Sequence, residues 1–475
     1  MTRTDDAVVA VLPRLEPFLR EWIDTQRVMS GVPAVQVAVR RGPELLFSYA
    51  SGVADTATRE PVTTGHAFRI ASHSKTFTAT LIMQLVERGE LSLDATVASL
   101  VPELANAPVA SRTVRALLGH QAGVERDGTD ANWWQRKSLF PNRNELIAEL
   151  QHDSVYAANE HFHYSNLAYS LLGLIIESVT SRDFNDVALD VVPVLSEYMG
   201  DAATIGPDSG VGADVAIVSG HVAPLGYWRD GEAEAVPPVV APVDTRAQAA
   251  ATGFWANAET ISAWVSAHAL GTGLFLSDDA KRLMQRKEST ITKNGLTRFY
   301  GLGWIQRAIG KRHVIGHSGG FPGHITQTWG DPKTGLAVSV LTNRIDGKAS
   351  DWATAIIRLL DAAAHEVARS DGDDVADVYG TFWALWGATS VVPLPGVTLQ
   401  LSPAAVDPAG AMTVMHANND GALRAVPEDG FADAGEVMRV ERDGDGIASI
   451  TVTGITSWRP DLFAEQRDTL LRGAL

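Results

Sequence analysis

Apolar residues recur at helical spacing at the start of the chain. Val8, Val9, Leu12, Leu15, Leu19, Trp22 and Ile23 share one face and predict an amphipathic helix. The period then drops to two: Val32 to Val39, a Gly42-Pro43 turn and Leu45 to Tyr49 predict a β-hairpin. From Ser72 to Arg88 the spacing is helical again, with Phe77, Leu81, Ile82, Leu85 and Val86 on one face and Gly89 placed as a C-cap. Between about 100 and 290 the pattern predicts mainly helices joined by loops. Asn166 to Thr180 is the clearest of them and so apolar (Leu171, Leu172, Leu174, Ile175, Ile176) that it predicts a buried helix. The Pro/Ala/Val-rich stretch from Val236 to Val243 predicts an irregular loop. Strand patterns return at Phe299 to Gln306, Lys311 to Gly316, His324 to Trp329 and Leu336 to Leu341. The last two are joined by Asp331-Pro332-Lys333-Thr334-Gly335, which has turn chemistry. A helix over Ala353 to Ala368 follows.

The charged stretch Arg369 to Asp377 reads as a linker. Beyond it, short strands alternate with turns, punctuated by Pro393, Pro395, Pro403, Pro408 and Asp443-Gly444-Asp445-Gly446. The expected organisation is an α/β domain over residues 1–368, a linker at 369–377 and a small all-β domain at 378–475. In the α/β domain, strands from both sequence ends form one antiparallel sheet flanked by helices, with an all-α region between them. The cleft between sheet and helices is the expected place for a site. No internal repeat is present.

Composition narrows the function classes. The chain has 475 residues, long enough for roughly two to four domains. Its 39 Lys and Arg against 56 Asp and Glu leave a net charge of −17, which argues against nucleic acid or an anionic membrane as partner. No cysteine is present, so disulfides, thiolate catalysis and Cys-ligated zinc are excluded. The N-terminus lacks a signal-peptide pattern and no uncharged apolar run reaches spanning length, so a soluble, cytoplasmic protein is expected. The 13 histidines are scattered, and His161-Phe162-His163 lacks the i, i+4 spacing of a zinc helix. No metal and no cofactor are expected.

Three segments carry candidate chemistry. In Phe68-Arg69-Ile70-Ala71-Ser72-His73-Ser74-Lys75, a serine and a lysine stand three apart at the head of a helical run. A serine hydroxyl needs an adjacent base, and a desolvated lysine can be one. In Tyr164-Ser165-Asn166, a tyrosine beside a cationic lysine can become phenolate-like and share proton transfer, and the asparagine amide can hold both lysine and substrate. In His317-Ser318-Gly319-Gly320, glycines admit close approach of a substrate backbone, and the Gly320 and Ser72 amides can serve as oxyanion donors. His317 can donate to a substrate carboxylate or the developing charge. Each segment alone reads equally as local structure: polar residues in a first helical turn, a helix entry with Ser165 as N-cap, and a strand end with a surface histidine.

In this order, Ser-x-x-Lys, Tyr-x-Asn and His-x-Gly resemble the three-motif pattern of the serine β-lactamase and penicillin-recognising superfamily. The likeness is to its class C-like branch, which includes class C β-lactamases, D-aminopeptidases, D-alanyl-D-alanine carboxypeptidases and related esterases. Flanking segments extend it: Gly89-Glu90-Leu91-Ser92-Leu93-Asp94, Ala116-Leu117-Leu118-Gly119-His120-Gln121-Ala122-Gly123-Val124, Tyr300-Gly301-Leu302-Gly303-Trp304 and Gly316 to Gly323. The resemblance covers residues from about 10 to 365. It implies a β-lactamase-like fold, with Ser72 as acyl-accepting nucleophile, Lys75 and Tyr164 as general-base machinery, Asn166 as polar anchor, and His317, Ser318, Gly319 and Gly320 as the substrate-binding strand. More loosely, the last hundred or so residues resemble lipocalin-like domains appended to some relatives.

The expected activity is metal-independent hydrolysis of an ester, amide or short peptide through a Ser72 acyl-enzyme. A D-amino-acid-specific peptidase or amidase and an acyltransferase are the alternatives; a true β-lactamase and a non-catalytic scaffold rank below them. His73 departs from the smaller or hydrophobic residue of many relatives and reads as either a solvent-facing or a cleft-lining side chain. Trp133-Trp134 and Tyr227-Trp228 read as core packing.

Overall fold

The computed structural model describes residues 3–208, 215–222, 238–293, 295–370, 372, 374–418, 422–426, 434–444 and 446–473. Contacts divide the chain into two compact units, Val32–Ala353, and Met1–Gly31 with Thr354–Leu475. The chain opens with α1 (Arg3–Ser30), whose Val8, Leu12, Leu15, Leu19, Trp22 and Ile23 are buried as their spacing predicts.

The unit Val32–Ala353 starts with the expected hairpin, β1 (Ala34–Arg41) and β2 (Glu44–Gly52), turned at Gly42 with φ +59°. Short β3 (Phe68–Ala71) leads through a turn into α2 (Ser74–Glu87), and Gly89 follows that helix at φ +73°. The apolar helix α3 (Asn166–Thr180) is buried over its first eleven residues. Next come β4 (Ile205–Pro207), β5 (Phe254–Ala256) and α4 (Ala258–Ala267). The remaining strands are β6 (Ser289–Lys293), β7 (Leu296–Tyr300), β8 (Ile305–Ile309), β9 (Arg312–Phe321), β10 (His324–Gly330) and β11 (Leu336–Thr342). Helix α5 (Ala349–Arg369) follows them.

One eight-stranded antiparallel sheet has the order β2-β1-β11-β10-β9-β8-β7-β6, so strands from both sequence ends meet at β1 and β11. Seven of eight β1 residues and all of β11 are buried, so both faces of these two strands are covered. Helix α4 packs on β1, β10 and β11. A three-stranded sheet, β3-β5-β4, sits at the head of α2.

Several expectations are corrected. The stretch Phe299 to Gln306 is two strands, not one, because Gly301 and Gly303 break it. A Cβ on Gly303 (φ +88°) would lie 2.4 Å from Ala79 Cβ, and one on Gly301 would lie 2.1 Å from Met284 O. Helix α2 begins at Ser74, not Ser72. In the segment read as a loop, 236 and 237 lie outside the described residues, and Val239–Val240 pairs with Gly220–His221 as a two-residue strand.

In the other unit, β12 (Gly380–Ala384), β13 (Gly387–Leu394), β14 (Val397–Leu401), β15 (Thr413–Ala417), β16 (Leu423–Ala425), β17 (Val437–Asp443), β18 (Gly446–Val452) and β19 (Ile455–Trp458) form a closed antiparallel barrel. Closure removes the exposed edges that short strands would leave. Phe382, Val391, Met415, Leu423, Met438 and Ile450 belong to its buried core. Asp445, in the expected turn, lies outside the described residues. Helix α6 (Pro460–Arg472) follows; the turn-and-strand reading missed it, and it buries no residue. Trp22 Nε1 of α1 donates to Ala405 O at 2.7 Å, and Arg358 of α5 pairs with Asp407 at 2.6 Å. Among the described residues no helix is long and apolar enough to cross a membrane.

Candidate active site

The chain reaches Ser72 through a forced bend. The β3–β5 ladder slips between Arg69 and Ala71, and Ala71 takes φ +47°, a conformation costly to any residue with a Cβ. Tight i→i+3 bonds follow: His73 N–H to Ile70 O (3.1 Å), Lys75 N–H to Ser72 O (3.1 Å) and Thr76 N–H to His73 O (2.9 Å). Ser74 Oγ pins the bend, donating to Ala71 O at 2.6 Å and accepting from Phe254 N–H at 3.0 Å. Ser72 and Lys75 are therefore neighbours, as their spacing predicts, through a tight turn ahead of the α-helix.

Lys75 is fully buried. Its Nζ lies 3.3 Å from Ser72 Oγ and donates to Asn166 Oδ1 (2.7 Å) and Ala251 O (2.8 Å). Burial pushes its pKa well below the usual lysine range, with Arg126 acting in the same direction and Asp127 opposing. A neutral amine has two N–H groups and one lone pair. In the neutral form the two short bonds, both to pure acceptors, occupy the two N–H groups and leave the lone pair for Ser72; in the ammonium form the third N–H donates to Ser72 Oγ.

Tyr164-Ser165-Asn166 is set as expected for a helix entry. Ser165 Oγ accepts from Ala168 N–H at 2.9 Å and donates to Glu125 O at 2.6 Å. Asn166 is the first residue of α3, and its N–H donates to Arg126 O at 2.8 Å. The Tyr164 ring centroid lies 4.8 Å from Lys75 Nζ. Burial drives the Tyr164 pKa up, against the phenolate character expected from a neighbouring cation. Both shifts, lysine down and tyrosine up, favour the uncharged pair.

The third motif lies on β9. His317 is buried, with Nδ1 2.7 Å from Ser318 O and Nε2 3.1 Å from Tyr300 Oη. Nδ1 therefore carries the proton and Nε2 accepts from the tyrosine, so both ring nitrogens have partners within the protein. Burial, Lys75 and His73 hold the ring neutral. Gly319 is required by a close approach within the protein: a Cβ there would lie 2.2 Å from Ile70 O and 2.3 Å from Thr326 Oγ1. That contact ties β9 to the strand leading into Ser72. Gly320 is exposed, and a Cβ there would meet only Ile325 Cδ1, at 3.6 Å. Ser318 is partly exposed beside it.

His73 is neither solvent-facing nor cleft-lining, which corrects both readings of it. It is fully buried, its Nδ1 3.0 Å from Ile70 O and its Nε2 3.2 Å from Thr328 Oγ1, and burial pushes its pKa down to about 4. Trp133 is buried with Phe140, Phe321 and Ala71 in a cluster against the bend that precedes Ser72, and Trp134 packs on it. Tyr227-Trp228 lies outside the described residues.

The Beta-lactamase family model matches residues 19–363. The chain belongs to the Beta-lactamase family. Penicillin-binding protein 4* of Bacillus subtilis (strain 168) is 27% identical over 310 residues, 61% of this chain and 63% of that protein, so the match spans less than two thirds of the relative. The octameric penicillin-binding protein homologue from Pyrococcus abyssi superposes with a TM-score of 0.63 at 18% identity, covering 93% of this chain and 99% of that one. The D-amino acid amidase from Ochrobactrum anthropi SV3, complexed with L-phenylalanine, gives 0.59 at 22% identity, covering 75% and 99%. At these identities the likeness is one of fold.

Sequence reasoning missed two residues of this Beta-lactamase family member's site. His120 (φ +56°) is buried, its Nδ1 accepts from Ser165 N–H at 3.1 Å, and its ring packs 4.4 Å from Tyr164 and 4.7 Å from Tyr300. Its sequence signal is the Ala116 to Val124 stretch, which resembles the family but points to no role for the histidine. Asp127 accepts from Asn166 Nδ2 at 2.7 Å and had no signal of its own. In a separate group, Glu125, Glu149 and His152 each bring one potential metal-ligand atom within 4.8 Å of the others, a grouping the sequence spacing did not reveal. Such acidic groups are common without an ion.

Proposed function

We propose that the chain is a serine hydrolase that cleaves an ester or amide bond through an acyl-enzyme on Ser72. The observation that carries this reading is the Lys75 amine, buried, pushed toward its neutral form and 3.3 Å from Ser72 Oγ, with both N–H groups engaged elsewhere. In the proposed reaction Lys75 takes the Ser72 proton as Oγ attacks the carbonyl carbon. The carbonyl electron pair moves onto its oxygen, facing the Ser72 and Gly320 amides. Collapse expels the leaving group, which receives the proton through the Lys75 and Tyr164 pair, and water then repeats the cycle on the acyl-enzyme.

The proposed substrate is a small ester, amide or short peptide, and no cofactor is assigned to the reaction. A D-amino-acid amide is the favoured amide, because the fold likeness includes a D-amino acid amidase and a D-stereospecific amidohydrolase from Streptomyces sp.. The proposed hydrolase domain is 1–368, followed by the linker at 369–377 and the β domain at 378–475. The test is a panel of short esters, D- and L-amino-acid amides and a chromogenic cephalosporin, on wild type and Ser72→Ala. Turnover of an ester or amide that vanishes in Ser72→Ala, with the cephalosporin slow at best, is expected. Equal hydrolysis by the variant would refute the assignment.

A further inference from the structure

We propose that Asp127 is the positioning residue that aims the Lys75 lone pair at Ser72, by fixing which end of the Asn166 amide faces the amine. The proposal rests on the hydrolase reading above. An asparagine amide is nearly symmetric in shape but not in chemistry: one end accepts, the other donates. A carboxylate can only accept. Asp127 Oδ1 lies 2.7 Å from the Asn166 amide, so the end facing it is Nδ2 and the end facing Lys75 is Oδ1. With Oδ1 toward Lys75, the neutral amine spends one N–H on Asn166 and the other on Ala251 O, and the lone pair is left for Ser72. With the amide reversed, Nδ2 would claim the lone pair, and the amine would offer Ser72 a proton where it must take one.

Two further contacts hold the carboxylate in place. Trp134 Nε1 donates to the same Oδ1 at 3.0 Å, and Arg126 Nε pairs with Oδ2 at 3.1 Å. Trp134 in turn packs edge-on against Phe140 and Phe321, at 5.1 and 5.4 Å between ring centroids. That cluster includes Ala71, so the residue that presents Ser72 and the residue that orients its base share one aromatic support. Asp127 is thus connected to the nucleophile by two routes, one polar and one through packing.

The charged and titratable groups facing Lys75 come from every element around it. Asp127 and Arg126 lie on the loop after His120, Tyr164 just precedes α3 and Tyr169 lies in its first turn, His120 follows the 114–118 helix, and His317 lies on β9. Both histidines are held neutral, Arg126 disfavours the ammonium, and Asp127 is the carboxylate that favours it. Removing the Asp127 charge therefore shifts the lysine toward its free amine at lower pH.

The experiment measures the rate of Ser72 labelling by a fluorophosphonate probe against pH, for wild type, Asp127→Asn, Asp127→Leu, Asn166→Ala and the double variant Asp127→Asn/Asn166→Ala. Asp127→Asn is nearly isosteric and keeps the test open if Asp127→Leu fails to fold. The expected plateau rate falls about tenfold in Asp127→Asn and about a hundredfold in Asp127→Leu. The acid limb moves to lower pH in Asp127→Asn. In the Asn166→Ala background Asp127→Asn costs the plateau nothing further, because no amide remains to orient. A purely structural role would lower the rate at every pH, leave the limb in place and give additive losses; that result overturns the proposal. Wild-type labelling with an unchanged pH dependence and rate in Asp127→Asn overturns it alone. No labelling of the wild type overturns the hydrolase reading and this proposal together.

Discussion

Lys75→Met should lose at least about a thousandfold in turnover of any substrate that wild type cleaves, while the fold survives. Methionine matches the length of the lysine stem and suits a fully buried position, and replacing a buried charge-bearing group by an apolar one is often neutral for stability. Chemistry is lost because the atom 3.3 Å from Ser72 Oγ can no longer take a proton. The pH dependence follows from the same geometry. The active lysine is the free amine, and burial lowers its pKa, so wild-type kcat/KM should already be high near neutrality. It should fall as pH drops through the lowered lysine pKa, not through the usual range near 10. Steady-state kinetics from pH 5 to 10, with thermal melts on both proteins, check this. A Lys75→Met enzyme within tenfold of wild type, or activity that appears only above pH 9, would be incompatible with lysine as the base.

Acid should unfold this chain well before its carboxylates are protonated. Among the buried histidines, His73, His120, His268, His317 and His324 have pKa values pushed down, chiefly by loss of water around the ring. For His73 the value is about 4, and for His268 and His324 about 3. In the unfolded chain each histidine takes up a proton near pH 6.5, whereas in the fold it does not until pH is far lower. The unfolded state therefore binds more protons in that window, and stability falls as pH drops below about 6.5. It is fully present above that value. At about 1.4 kcal/mol per unit, His73 alone contributes on the order of 3 kcal/mol of acid sensitivity. The other four act in the same direction, against a total stability that is typically about 5–15 kcal/mol. Urea unfolding at pH 7.5, 6.0 and 5.0 should show a midpoint that drops steeply between the last two. A His73→Gln variant should lose part of that slope. A midpoint independent of pH over this range would mean that the rings are not held neutral inside the fold.

The three motifs could be picked out of the sequence because each is local: two or three residues at fixed spacing, next to a helix or strand that periodicity reveals. What the sequence concealed was mostly tertiary. The bend at Ala71 depends on a slipped ladder between β3 and β5, strands of four and three residues that are buried throughout and show no alternation. A helical run starting at Ser72 predicts His73 on the helix surface, facing either solvent or the cleft. The actual start at Ser74 turns its ring toward Thr326 and Thr328 of β10. Asp127 belongs to no motif, and its importance lies in one hydrogen bond to a residue far along the chain. Gly319 was legible as a glycine that had to be small, but the atom it accommodates is Ile70 O of the protein itself. The closed barrel was legible as short strands and turns; its closure through Trp383 and Trp458 was not.

The most direct test of the account is the intact mass of wild type and Ser72→Ala after incubation with a fluorophosphonate probe. One adduct on wild type and none on Ser72→Ala is the predicted result, and it would mean that the serine beside the buried lysine is an activated, accessible nucleophile. A well-folded wild type that stays unmodified, or an adduct that persists in Ser72→Ala, would contradict the account.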